Sequence, residues 1–93
     1  MRIIIAGAFA IGSYLAKLLS RNKQEVVLMD QDEEKLGKLA IDYDLLTMHA
    51  SATSIRSLKE ARVEDTDLFI AVTPDESYNM TACGLAKAVS YTH

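Results

Sequence analysis

The hydrophobic positions of this chain fall into two kinds of block, and the two kinds alternate. Residues 2–6, RIIIA, are a short β-branched apolar run ended by Gly7, which predicts a buried strand. From Ala10 to about Arg21, the apolar residues Ile11, Tyr14, Leu15, Leu18 and Leu19 recur at helical spacing, and Asn22 stops the helix. EVVLMD, 25–30, is a second buried strand that closes on an acid. Residues 32–43 place Leu36, Leu39 and Ala40 on one helical face, with acids in the first turn at the positive end of the helix dipole. DLLTMHA, 44–50, reads as a third strand, and SATSIRSLKEA, 51–61, as a short helix capped by Thr53 or Ser54. TDLFIAVT, 66–73, is a fourth strand. The last helix, over 74–90, opens with Pro74 and two acids and turns Met80, Cys83, Leu85, Ala86 and Val89 toward the core, interrupted by Gly84.

The pattern is four βα units in succession. Its strands are continuous apolar runs rather than alternating ones, as expected for a parallel sheet covered on both faces. Right-handed crossovers then predict a doubly wound, Rossmann-like α/β sheet. The 93 residues make one domain. The chain stops after its fourth βα unit, where such a sheet usually continues, so a fragment is expected, or a partner that completes the edge.

Composition narrows the function. The net charge of −3 opposes a dense basic face for nucleic acid. No apolar run reaches the length of a membrane span, and no signal peptide is recognisable at the N-terminus. The single cysteine, Cys83, excludes an internal disulfide, weakly favours a reducing compartment, and reads as a buried structural thiol. His49 and His93 lack Cys or His partners at ligand spacing, so no metal site is expected. Met29, Met48 and Met80 read as core.

The first strand–helix junction carries the chemistry. A dinucleotide turn runs G-x-G-x-x-G, and here it runs Gly7-Ala8-Phe9-Ala10-Ile11-Gly12. Gly7 fills the role of the tight turn and Gly12 that of close helix–strand packing. The helix N-terminus beyond offers free N–H groups and a dipole to a pyrophosphate. Phe9 occupies the position where backbone should approach phosphate. Its Cβ and ring either intrude, at a cost of roughly 1–3 kcal/mol in lost contact and strain, or plug an empty site. Asp30 ends the second strand eighteen residues after Gly12, near the spacing of about twenty for an acid that bonds ribose hydroxyls. A carboxylate there favours NAD or an adenosine-type ribose over NADP. Ser51 and Thr73 follow strands and suit either a helix cap or a ligand contact.

IIIAGAFAIGSYLAKLLS, VVLMDQDEEKL and SATSIRSLKEARVEDTDLFIAVTPDESYNMTAC together resemble the N-terminal nucleotide-binding domain of TrkA-like potassium-uptake regulators, the KTN or RCK domains. The resemblance covers nearly the whole chain. It implies a cytoplasmic, non-catalytic subunit, a homodimer or higher ring, placed beneath a membrane potassium transporter subunit. It implies binding of NAD(H), or of ATP, ADP or AMP, that biases the ring and hence transport. The phosphate turn is then Gly7, Ala8, Phe9, Ala10, Ile11 and Gly12, the ribose acid Asp30, with Gln31 and Asp32 beside it. Ser51 and Ala52 fall near the adenine end and Thr73 at the mouth of the site. Asn79 matches the family's Asn after the fourth strand. The chain departs from the family at Phe9, at Ala50, and at Arg62, where glycine commonly takes a left-handed conformation. Two other functions compete: the coenzyme half of an NAD-dependent oxidoreductase, and a vestigial dimerisation domain with weak nucleotide binding.

Overall fold

A computed structural model describes residues 1–91. Strand β1 spans Arg2–Ala6, β2 Glu25–Asp30, β3 Leu46–His49 and β4 Leu68–Ala71. Helix α1 spans Ala10–Arg21, α2 Glu33–Asp42, α3 Ile55–Glu60 and α4 Glu76–Tyr91, with one 3-10 turn at Val63–Asp65. The strands pair in the order β3-β2-β1-β4, every pair parallel. The predicted Rossmann-like sheet is the observed one.

Parallel neighbours need a crossover, and a right-handed crossover reverses face when the strand order reverses. The chain therefore lays α1 and α2 on one face and α3 and α4 on the other. Successive strand residues point to opposite faces. Ile3, Ile5, Val26 and Leu28 pack with Ala16 and Leu36, while Ile4, Ala6, Val27 and Met29 pack with Leu58, Ala82, Ala86 and Val89. Both faces of β1 and β2 are thus core, which is why these strands read as unbroken apolar runs.

Four expectations change. Strand β3 is an edge strand, and Leu46, Thr47 and His49 are exposed while Met48 is half-buried. Helix α2 lies over β2 and this edge, so Leu36 and Leu39 meet the sheet and Ala40 does not. On α4 the inward stripe is Tyr78, Ala82, Leu85, Ala86 and Val89. Met80 and Cys83 stand outside it, and both are exposed. Cys83 is therefore a surface thiol, not a buried structural one. On α1 likewise, Gly12, Leu15, Ala16 and Leu19 face the sheet, while Ile11, Tyr14 and Leu18 are exposed. Both helices carry apolar residues on more than one side, and periodicity alone does not choose between the sides. His93 lies outside the described residues.

The helix ends follow local chemistry. Asp32 caps α2 by accepting from the N–H groups of Glu34 and Lys35, and Ser54 caps α3 by accepting from Ser57. Asp75 accepts the N–H of Tyr78 at 3.1 Å and holds the start of α4. Asn22 ends α1, and Lys23 after it is left-handed, φ 62°. Arg62, after α3, is also left-handed, φ 59°, as its place in the glycine position predicted. Glycine adopts this conformation without a Cβ clash, so Lys23→Gly is expected to raise stability by roughly 0.5–1 kcal/mol. Arg62→Gly gains less, because it also loses the exposed ion pair to Asp65. Thermal melts check both, and a lower melting temperature for Lys23→Gly would refute the strain.

Candidate functional site

The order reversal between β1 and β4 opens a crevice beyond the carboxyl ends of the strands, the usual ligand position in open α/β sheets. The β1–α1 turn forms one wall. Gly7 has φ +117°, and its N–H donates to the Met29 carbonyl at 2.8 Å. A Cβ at Gly7 would lie 2.8 Å from Thr73 Cγ2 and 3.0 Å from the Val72 carbonyl oxygen. A Cβ at Gly12 would lie 1.8 Å from the Gly7 carbonyl oxygen. The helix thus rests directly on the turn, and only glycine permits it.

Phe9 is the N-cap residue of α1, with φ −87° and ψ −167°. This is ordinary extended backbone. Phe9 therefore carries no backbone strain. Its ring instead projects into the crevice, 39% exposed. The first amides of α1 lack intrahelical partners, as at any helix start, and no acid occupies the first turn of α1 to offset its dipole.

The parallel register sets Ala6 opposite Met29, which brings Asp30 beside Gly7 and Ala8. Asp30 is 7% exposed. Its Oδ2 accepts the N–H of Ala8 at 2.6 Å and its Oδ1 the N–H of Asp32 at 2.7 Å. One carboxylate thereby ties the β1–α1 turn to the β2–α2 turn. A carboxylate has about four lone-pair positions, so this bonding leaves others for a ligand.

A cavity of about 500 Å³ lies between these turns, within the usual range for small-molecule sites, roughly 300–1,000 Å³. Gly7 and Phe9 line it from the first turn, and Asp30, Gln31 and Asp32 from the second. Lys35 closes one side from α2; Thr73, Pro74, Asp75 and Tyr78 close the other. A smaller cavity of about 310 Å³ is lined by Ala10, Ile11, Asn79 and again Phe9 and Thr73. Phe9, Thr73 and Pro74 line both.

The residues singled out from sequence therefore divide. Gly7, Phe9, Asp30, Gln31, Asp32 and Thr73 line the larger cavity. Ala10 and Ile11 line the smaller one. Ala8 and Gly12 are buried behind the turn. Ser51 and Ala52 line neither. They meet the phenol of Tyr78, which accepts the Ala52 N–H at 2.8 Å and lies 3.5 Å from the Ser51 hydroxyl. Neither Ser51 nor Thr73 is the N-cap of a helix. Ser51 pairs with the Thr53 hydroxyl, and Thr73 is held by Asn79. The Asn79 amide accepts the Thr73 N–H and hydroxyl and donates to the Thr73 carbonyl, which fixes the mouth of the crevice.

Lys35, Tyr78 and Asp75 line the cavity without having been picked out from sequence. Lys35 does carry a signal. It is a cation in the first turn of α2, where the dipole disfavours it, directly after a run of acids. Among the described residues, no cluster of three or more His, Cys, Asp or Glu is arranged to hold a metal ion.

The sequence model of the TrkA-N domain matches residues 3–92. The chain belongs to the TrkA-N domain family. The matched span runs from β1 through α4, so the TrkA-N domain includes the turn, Asp30 and the whole crevice. Similar curated proteins agree. The Trk system potassium uptake protein TrkA of Haemophilus influenzae is 36% identical over 92 residues, covering 99% of this chain and 20% of that protein. TrkA of Halomonas elongata is 35% identical over 92 residues, with the same coverage, 99% and 20%. The TrkA homolog of Methanothermobacter thermautotrophicus is 30% identical over 90 residues, 97% of this chain and 42% of that protein. The chain thus spans between one fifth and about two fifths of the length of these relatives.

Proposed function

We propose that this TrkA-N domain is a regulatory nucleotide-binding module of a Trk-type potassium transport system, taking NAD(H) first and ATP, ADP or AMP as alternatives. One observation carries the reading: the Asp30 carboxylate lines a cavity walled by Phe9, the N-cap of the acid-free start of α1, and accepts the N–H of Ala8 beside it at 2.6 Å. The residues fit an adenosine phosphate. Asp30 has lone pairs to spare for ribose hydroxyls, and the α1 N-terminus suits the phosphates. A bare carboxylate beside the sugar disfavours a 2′-phosphate and hence NADP.

The names of the relatives support the transport role and the partner, a membrane potassium transporter subunit. On this reading the domain is non-catalytic and sits at the cytoplasmic face of the membrane, in a homodimer or higher ring. No helix among the described residues is long and apolar enough to cross a membrane. Nucleotide shifts the assembly by binding one arrangement better than another, since only differential affinity moves such an equilibrium.

A thermal-shift screen across NAD, NADH, ATP, ADP and AMP tests the module. A ligand at one hundred times its Kd stabilises the native state by about 2.7 kcal/mol, an upward shift of several degrees. No shift with any of the five would overturn nucleotide binding. The same assay reads the role of Phe9. Removing its ring opens the start of α1, so Phe9→Gly is expected to tighten NAD(H) or AMP binding about tenfold to hundredfold. Equal affinity in the two proteins would show that the ring does not obstruct the ligand.

A further inference from the structure

Three carboxylates line the larger cavity, and each is already engaged with backbone. Asp30 holds two N–H groups, Asp32 caps α2 and Asp75 holds the start of α4. One cation lines it among the described residues, Lys35. Its ammonium forms no ion pair among these residues. It reaches instead from α2 across the crevice to the first turn and rests on the Phe9 ring, 3.7 Å from the centroid. The charge is thus brought to the α1 end of the cavity, away from the α4 wall.

We propose that Lys35 is the phosphate-recognising residue of this cavity, held on the Phe9 ring until a phosphate takes its ammonium. The inference rests on the nucleotide reading above and assigns the charge offered to the anion to α2, beside the turn where Phe9 stands in place of glycine. A ring face is a weaker partner for an ammonium than a phosphate oxygen, which adds a charge-assisted hydrogen bond. The four-carbon stem of lysine lets the charge swing from one to the other without moving backbone. Recognition then has two poles, Asp30 toward sugar hydroxyls and Lys35 toward phosphate. The ligand class is a nucleotide phosphorylated on the 5′ side, and a nucleoside loses what Lys35 contributes.

Calorimetric titration with ADP and with adenosine tests this on the wild-type chain and on Lys35→Met and Lys35→Arg. Lys35→Met keeps the stem and removes the charge. It is expected to weaken ADP about tenfold or more while leaving adenosine within about twofold. Lys35→Arg, still cationic and able to stack on Phe9, should restore most of the ADP affinity. In NMR, the Lys35 ε-methylene protons should be shifted upfield by the ring in the free protein and return toward ordinary values on adding ADP. Equal loss for ADP and adenosine in Lys35→Met, or no loss for either, overturns the role of Lys35 while the nucleotide reading stands. Failure of the wild-type chain to bind either compound overturns both.

Discussion

Alanine at position 12 is expected to cost at least about 3 kcal/mol, a large part of the roughly 5–15 kcal/mol that a domain has. The added Cβ would sit 1.8 Å from the Gly7 carbonyl oxygen and 3.3 Å from Val72 Cγ2. Gly7 has nowhere to retreat. Its N–H is bound to Met29, and its own Cα already faces Thr73 Cγ2 and the Val72 carbonyl. The only relief is for α1 to lift, which uncovers Leu15, Ala16 and Leu19 from the sheet. Two other glycines serve as controls of opposite sign. Around Gly37 and Gly84, both within helices, an added Cβ meets nothing within 4 Å, so alanine there gains helix propensity of about 1 kcal/mol. Urea unfolding checks all three. A Gly12→Ala midpoint equal to wild type would mean that helix and turn are not in contact.

Asp30→Ala is expected to cost about 2–4 kcal/mol. It leaves the N–H groups of Ala8 and Asp32 without their acceptor, and a buried unsatisfied donor costs about 1–3 kcal/mol. Asp30→Asn separates structure from binding. Its carbonyl oxygen can still accept one of the two N–H groups, so the loss falls to about 1–2 kcal/mol. Its NH2 group cannot accept from the other donor, and the charge proposed to grip ribose hydroxyls is gone. Nucleotide affinity is therefore expected to fall about tenfold or more in a protein that still folds. Unfolding curves and nucleotide titrations on both variants measure the two effects. An Asp30→Ala protein as stable as wild type would show that the carboxylate does not tie the two turns together. An Asp30→Asn protein with unchanged affinity would remove Asp30 from the ligand.

The sequence made the architecture legible because the relevant constraints are local or periodic. Continuous apolar runs at 2–6 and 25–30 can be buried on both faces only in a covered parallel sheet, and β1 and β2 are so buried. The left-handed Arg62 was legible too, as a residue standing where the family commonly has glycine. The edge character of β3 was not legible, because LTMH is apolar enough to pass for an inner strand and only the strand order exposes it. Met80 and Cys83 were misplaced because an apolar pair at helical spacing looks the same whichever side of α4 meets the sheet. At the site, Ala52 and Tyr78 meet although 26 residues separate them, and no local pattern relates the two.

What the chain dictated by itself is the order of its elements, the glycine-dependent turn and the acid that ends the second strand. Each follows from backbone sterics or from a spacing within one βα unit. What the tertiary structure decided is which side of each helix is buried, and which side chains close the crevice. Tyr78 bonded to Ala52 and Lys35 laid on Phe9 depend on how separate βα units dock and how each helix is rotated about its axis. Those angles are set by packing across the whole sheet, and no short stretch of sequence contains them.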